Sequence, residues 1–489
     1  MFKKYFPLLV FILCVNHAWG ATLYYNGADG SWSTLTNWWT DSGFTTQATS
    51  LPTSGDDVIL SRTVSSNSGA AASVNTLTFN DGGNSYYLGI NITVANGATF
   101  NNTSYNRSTI TGNATFNTTY YNTSAPSGGI FTLSSGKIWR GAVTGTVYGS
   151  DNVPITSYAF NGTSYAAAGS TLTGNVDFNN TSICSNGSTL TIIGDVTFND
   201  SVHCSSSSIT MNITGNATFY DTSRNSGRVT VSGTTTFNDS SYNSGTITGT
   251  AIFNGNSYNF SQVTGNATFN GNSYTRYVVT GDATFNTTYY DATAPSGGIF
   301  TISGTKYWEG VVNGTVYGSD NAPITSYVFN DTSYNKGTIT GNTTFNTTYY
   351  DATAPSGGIF TISGTKYWQG RVIGTVYGSD NAPITSYVFN DTSRNSSGTI
   401  TGNATFNNTT LNTGTTVITG TATFNDTSYN NSFATITGDT TFNDTSYNNT
   451  SGDIVNNAIF RESSYNLGNI RGNAHVYTPS ANPIGGTVL

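Results

Sequence analysis

One phrase recurs through this chain: an apolar residue, Thr-Gly-Asn-Ala-Thr-Phe-Asn, a polar turn, then Ser-Tyr-Asn. It stands at 263–270 and 400–407 and, with Thr for the first Asn, at 418–425. With Phe as the marker, copies run from Phe79 to Phe460, and Val476 holds the last such place. The intervals are 16 to 21 residues, except for three of 44. A period this short has no room for a pair of helices. Thr, Val, Ile, Phe and Tyr suit a pleated surface and Gly and Asn suit tight turns. Each copy therefore reads as one coil that buries its apolar side only by stacking on its neighbours. The fold class expected is all-β: a single parallel β-solenoid, three-sided, with an N-terminal cap.

Within a coil the apolar positions are spaced as well. Six residues before the marker stands a β-branched residue or Leu, as at Ile110, Leu172, Ile213, Ile247, Ile339 and Ile454. Five residues after it stands Tyr, as at Tyr105, Tyr242, Tyr258, Tyr274, Tyr334 and Tyr447. Steps of 5, 5 and 6 residues in the shortest coils describe three strands and three corners. Stacking places like residues about 4.8 Å apart. The spacing predicts a Phe column, an Ile/Val column and a Tyr column inside, the last at a corner with its polar ends reaching water. Gly four before the marker (Gly112, Gly249, Gly265, Gly402) suits a corner that needs positive φ. The three long intervals, about 117–160, 286–329 and 346–389, share one text. Each reads as two or three coils with an Ala-Pro-Ser-Gly-Gly loop, and Ile302, Tyr307 and Val312 keep the five-residue step.

Composition narrows the compartment and the partners. Charged residues are 8% and aromatics 13%, which speaks against disorder. A net charge of −8 disfavours nucleic acid or an anionic membrane as partner. Residues 1–20 read as a secretory signal peptide: Lys3 and Lys4, an apolar run, then Ala18 and Gly20 before the cut. The run is too short to span a membrane, and the mature chain is expected outside the cell or on its surface. Residues 21–75 do not repeat and carry Trp32, Trp38 and Trp39. They read as a cap over the first open strand edge, with an aromatic carbohydrate-binding patch as the alternative; 76–489 are the repeats.

The Trp-rich opening with Asn37-Trp38, the run from Pro52 through Gly55-Asp56-Asp57-Val58-Ile59, and the Thr-Gly-Asn-Ala-Thr-Phe-Asn coils resemble bacterial secreted β-solenoid surface proteins. The type is that of adhesins and autotransporter passengers. The resemblance covers nearly all of the mature chain. It implies surface attachment or a matrix role, and it brings no catalytic residues.

Candidate sites are few. Trp139, Trp308 and Trp368 occupy matching places in the three long blocks. They are either a repeated contact site, for carbohydrate or another cell-surface component, or rings buried beneath the block loops. Two residues after the marker, acids follow one another in adjacent coils: Asp200, Asp221 and Asp239, then Asp426, Asp444 and Glu462. They read as solvated turn residues, with bridging by extracellular Ca²⁺ as the alternative. Cys184 and Cys204 each lie six residues after a marker, and equal phase in adjacent coils predicts a disulfide. Ranks of Thr flank the Ile column, as at Thr109/Thr111 and Thr435/Thr437. No acid and base break the pattern together, as a polysaccharide-degrading enzyme on a parallel β-helix would require. No cofactor is expected. The function expected is an exported, non-catalytic structural or adhesive rod, with a polysaccharide-degrading enzyme and an ice-binding protein using its Thr ranks as the alternatives.

Overall fold

A computed structural model describes residues 20–68, 71–80, 82–186, 189–204, 210–431, 433–477 and 485–488. The signal-peptide reading falls, apart from Gly20, outside them. The chain divides into two compact units, Met1–Gly194 and Asp195–Leu489. Each is a parallel β-solenoid, and a coil takes about 18 residues.

The last coils of the second unit show the plan most plainly. Their strands sort into three ladders. One runs Ser386–Phe389, Asn403–Phe406, Ala422–Phe424, Thr440–Phe442 and Ala458–Phe460. The second runs Leu411–Thr413, Tyr429–Asn430, Tyr447–Asn448 and Tyr465–Asn466. The third runs Thr399–Ile400, Val417–Ile418, Thr435–Ile436, Asp453–Ile454 and Asn469–Ile470. The pairing is parallel and in register, so Phe406 faces Phe424 and Ile418 faces Ile436. We call these the Phe, Tyr and Ile sheets. Three sheets enclose the interior, as the 5-5-6 spacing requires.

Two of the three expected columns are inside. From Phe389 to Phe460 successive rings stack at 4.6 to 5.0 Å with planes within 9°. Each is fully buried, contributing roughly 1.5–3 kcal/mol by area removed from water. Ile400, Ile418, Ile436, Ile454 and Ile470 form the second column and are equally buried. Gly265, at φ +148°, turns a corner where an added Cβ would meet the Gly249 carbonyl oxygen at 2.4 Å. That close approach of stacked backbones, together with the conformation, accounts for glycine there.

The third column is not tyrosine. A strand alternates its side chains, and here Ser and Asn of Ser-Tyr-Asn point in while Tyr points out. Asn395, Asn412, Asn430, Asn448 and Asn466 are fully buried. Each Nδ2 donates to the Oδ1 of the next, at 2.7 to 2.9 Å. Ser428 and Ser446 are also buried and donate to the Phe406 and Phe424 carbonyls at 3.0 Å. Buried amides are tolerable only when paired, and the stack supplies a partner above and below.

In the first unit Thr22–Tyr25, Asp57–Leu60, Thr76–Phe79, Ala98–Asn102 and Ala114–Thr118 already stack in parallel. The parallel ladder thus includes strands from within 21–75, where no repeat is visible. Trp38–Trp39 adds antiparallel to Thr22–Tyr25 as the last strand of that sheet. Trp32 and Trp38 pack edge to face at 4.7 Å and are buried, so neither offers a surface patch.

Each long block makes two passes. In the second, Ile302 stands in register with Phe329, Tyr307 with Tyr334, and Val312 with Val279. The five-residue steps therefore keep phase with the three sheets. The strand Val316–Tyr317 lies on Ala283–Thr287, whereas Ile299–Ile302 begins a new stack under Ser326–Asp331. The Phe sheet is broken there and restarted.

Candidate functional site

The three tryptophans are not surface residues. Trp139, Trp308 and Trp368 are each 1% exposed, which removes them as direct contacts for a ligand. Register explains why: Trp308 takes the place of Asn335, and Trp368 that of Asn395, in the inward position of the Tyr sheet. Trp308 packs against Phe285, Tyr290, Phe300 and Tyr327, with ring centroids 5.3 to 5.9 Å away. Its Nε1 donates to the Thr338 carbonyl at 3.1 Å, as Trp368 does to Thr399 at 3.2 Å. The strands Val311–Val312 and Thr338–Thr340 do not pair, and the indole satisfies a carbonyl at that parting. Beside it opens a cleft of about 220 Å³ lined by Trp308, Val312, Val316, Ile324, Tyr327 and Thr338, among others.

The acidic runs have a backbone explanation. Asp200, Asp221, Asp239, Asp426, Asp444 and Glu462 all hold φ between 51° and 60°, the left-handed region that Asn, Asp and Gly enter most readily. Asn102, Asn180, Asn408, Gly255 and Gly271 hold the same place and the same conformation. The carboxylates also accept a neighbouring backbone N–H. Asp239 takes that of Asp221 at 3.2 Å, Asp444 that of Asp426 at 3.0 Å and Glu462 that of Asp444 at 3.1 Å. Among the described residues no three of His, Cys, Asp and Glu gather as a metal site. Cys184 in the first unit and Cys204 in the second are both buried and both disulfide-bonded.

Putting Asn inside puts Tyr outside, and that creates the most regular chemical feature of the surface. In the second unit Tyr242, Tyr258, Tyr274 and Tyr289 stack ring on ring at 4.2 to 5.5 Å. Tyr307, Tyr334 and Tyr349 stack at 5.1 and 4.0 Å, and Tyr429, Tyr447 and Tyr465 at 4.7 and 4.8 Å. All are half-buried. Because each ring face is covered by its neighbour, solvent meets ring edges and phenol hydroxyls. Burial, with the adjacent phenols adding to it, raises the pKa of Tyr258 and Tyr447, and pushes that of Tyr334 up to about 12. The hydroxyls therefore remain donors as well as acceptors across neutral pH.

Cations are interleaved with this rank. Lys306 lies over Tyr289 at 4.0 Å, Lys366 over Tyr349 at 4.4 Å and Lys336 over Tyr307 at 4.7 Å. Arg276 lies over Phe260, Tyr274 and Tyr307 at 5.0 to 5.7 Å and pairs with Glu309 at 3.0 Å. At the start of the rank Arg224 donates to the Tyr242 hydroxyl at 2.9 Å and contacts His203 Nδ1 at 2.8 Å. Burial, then the charge of Arg224, lowers the pKa of His203, so Nδ1 accepts and Nε2 faces Ser226 at 3.0 Å.

Two sequence signals pointed here. Asn holds its place after the marker even where Tyr yields to Arg224, Arg394 or Leu411; the more constant residue is the inward one. Period-two alternation across Ser-Tyr-Asn likewise allows Tyr or its two neighbours inside, but not all three.

The Thr ranks are outward and uneven: Thr338 and Thr340 face Arg371 and Ile373 across the Ile sheet. No helix among the described residues is long and apolar enough to cross a membrane. No protein-family model, no curated protein and no solved structure matches this chain.

Proposed function

We propose that this protein is an exported, non-catalytic scaffold of the adhesin-like type, which holds an extended carbohydrate polymer along its outward tyrosine rank. The observation that carries the reading is the rank itself. Phenol hydroxyls recur on most successive coils, about 4.8 Å apart, along the outward side of the Tyr sheets. A passive ligand for such a face is a polymer that repeats its own hydroxyls along a line. Export rests on the leader at 1–20 and on the resemblance of the coils to secreted surface proteins. The scarcity of carboxylates along the rank, where Glu309 is the acid that reaches it, supports binding over cleavage.

The test is incubation of the mature chain with a panel of polysaccharides, reading both retention and newly cut ends. Retention without cutting is expected. Loss of retention in a Tyr258→Ala/Tyr274→Ala/Tyr447→Ala variant of unchanged circular dichroism would assign it to the rank. New reducing ends would overturn the non-catalytic reading. Retention that ignores those changes would move the site to another face, with the Thr ranks and shaping of ice crystals in supercooled water the next measurement.

A further inference from the structure

Resting on the reading of the tyrosine rank as the binding face, we infer that its ligand is an acidic polysaccharide, a polymer bearing carboxylates or sulfates, and not a neutral glycan. The argument is the distribution of charge. The second unit holds ten Lys and Arg; six of them, Arg224, Arg276, Lys306, Lys336, Lys366 and Arg394, lie in or against the rank. The same unit holds 17 Asp and Glu, and one of these, Glu309, reaches the rank. Eight of the others sit in left-handed turns at corners, Asp331 and Asp391 among them. A chain of net charge −8 thus carries cations along its outward tyrosine rank.

Of these six cations, Arg276 alone has an ion-pair partner among the described residues. The ion pairs among the described residues are Arg276 with Glu309 and Arg471 with Asp453. Lys306, Lys336, Lys366 and Arg394 lie over tyrosine rings, and this cation–π contact holds the side chains down while their N–H groups can still donate. Local charge of one sign raises the concentration of an oppositely charged polymer whatever the net charge of the molecule.

Ring geometry separates the candidate anions. Binding of single-stranded nucleic acid relies on open aromatic faces on which bases stack. Here the Tyr faces are covered by one another, with Tyr334 and Tyr349 within 10° of parallel at 4.0 Å. What stays open is a row of hydroxyls and cationic heads. That set suits hydroxyl and carboxylate or sulfate groups, and it gives a base no platform.

The experiment compares polygalacturonate, its fully methyl-esterified form and a single-stranded oligothymidylate on the full mature chain, by titration from about 0.05 to 0.5 M salt. Polygalacturonate is expected to bind most tightly and to weaken as salt rises. A Lys306→Gln/Lys336→Gln/Lys366→Gln variant should bind it roughly tenfold less. A charge-matched Arg228→Gln/Arg461→Gln/Arg471→Gln variant, altered away from the rank, should bind as the parent does. Equal binding of esterified and free polymer, insensitive to salt, would overturn the acidic class and leave the carbohydrate reading standing. Equal losses in the two triple variants would reduce the rank's cations to net charge and overturn it too. Preference for the oligothymidylate would overturn both readings, as would binding to none of the three.

Discussion

The regular coils between Phe389 and Ile470 and the long block at 286–329 solve one packing problem in opposite ways. In a regular coil the inward place of the Tyr sheet is filled by an amide that pairs with the coils on either side, such as Asn430 between Asn412 and Asn448. In the block the same place is filled by Trp308, surrounded by Phe285, Tyr290, Phe300 and Tyr327. An amide ladder needs a hydrogen-bonding partner at each step, as Asn259 finds in the Thr275 hydroxyl. Where a sheet is broken and restarted that partner is missing, and an unpaired buried amide is unfavourable by about 1–3 kcal/mol. A ring cluster has no such directional demand, so it can close the interior at a break. The hydroxyl of Tyr350, which accepts the Asn335 N–H at 3.1 Å, finishes the accounting at the block that follows. Regularity here depends on hydrogen bonds, and the exceptions depend on aromatic volume.

This contrast can be broken from either side. The largest effect belongs to a charge placed in the Phe column: Phe269→Asp should lower stability by roughly 4 kcal/mol or more and disrupt a mid-solenoid coil. An unchanged melting profile would refute the column. Trp308→Ala should follow at about 3–5 kcal/mol, with Trp308→Phe recovering most of it, since volume dominates; hydrogen exchange would localise the opening to the parted Ile sheet beside Thr338. Recovery by Trp308→Asn instead would show that the amide ladder can run through a block. In a regular coil, Asn430→Leu should lose about 2 kcal/mol, because it strips partners from Asn412 and Asn448, and Asn430→Gln should not restore it.

Alkali should distinguish the two regions next. Burial raises the phenols of Tyr290 and Tyr350 far above their ordinary value, which is about 10 when unfolded. Their stabilisation is complete below about pH 10 and is lost as pH rises beyond it, where only the unfolded chain releases the protons. Between pH 9 and 11 a Tyr290→Phe/Tyr350→Phe variant should differ from the parent by a fixed offset from its lost hydroxyl hydrogen bonds, and the gap should change only in alkali; an offset constant throughout would count against ionisation of these two. The smallest effect is acid release of the block loops. Asp320 and Asp380 are held below the usual carboxylate range, chiefly by the backbone N–H of Gly297 and Gly357. A depressed pKa stabilises above about pH 4 and is lost as pH falls through the folded value. Faster proteolysis within 291–298 and 351–358 at pH 3, absent in the regular coils, is the expected sign.

Much of this molecule was open to inspection in its sequence. The repeating marker settles the parallel stack, the 5-5-6 spacing the three sheets, and the steps through Ile302, Tyr307 and Val312 the phase of the blocks. These survive because periodicity is local and each coil repeats its neighbour's answer. The face on which a residue lies is less local. In Ser-Tyr-Asn the apolar ring looks like the inward residue, and one step of register exchanges inside for outside. What decided it was the pairing of Asn430 with Asn448 across a distance of one coil, an interaction available only once coils are stacked. The same holds for the acids at the corners. In sequence they read as turn residues with a bridging cation as the alternative, and in three dimensions they are left-handed turn residues that cap the preceding coil's backbone. For the tryptophans the matched spacing left a contact site and a buried cluster both open; tertiary packing put them inside, where a broken sheet needed filling. Sequence alone determined the repeat, and with it the fold. Only tertiary structure decided which side of each strand met water, because that choice rests on hydrogen bonds and volumes shared between coils.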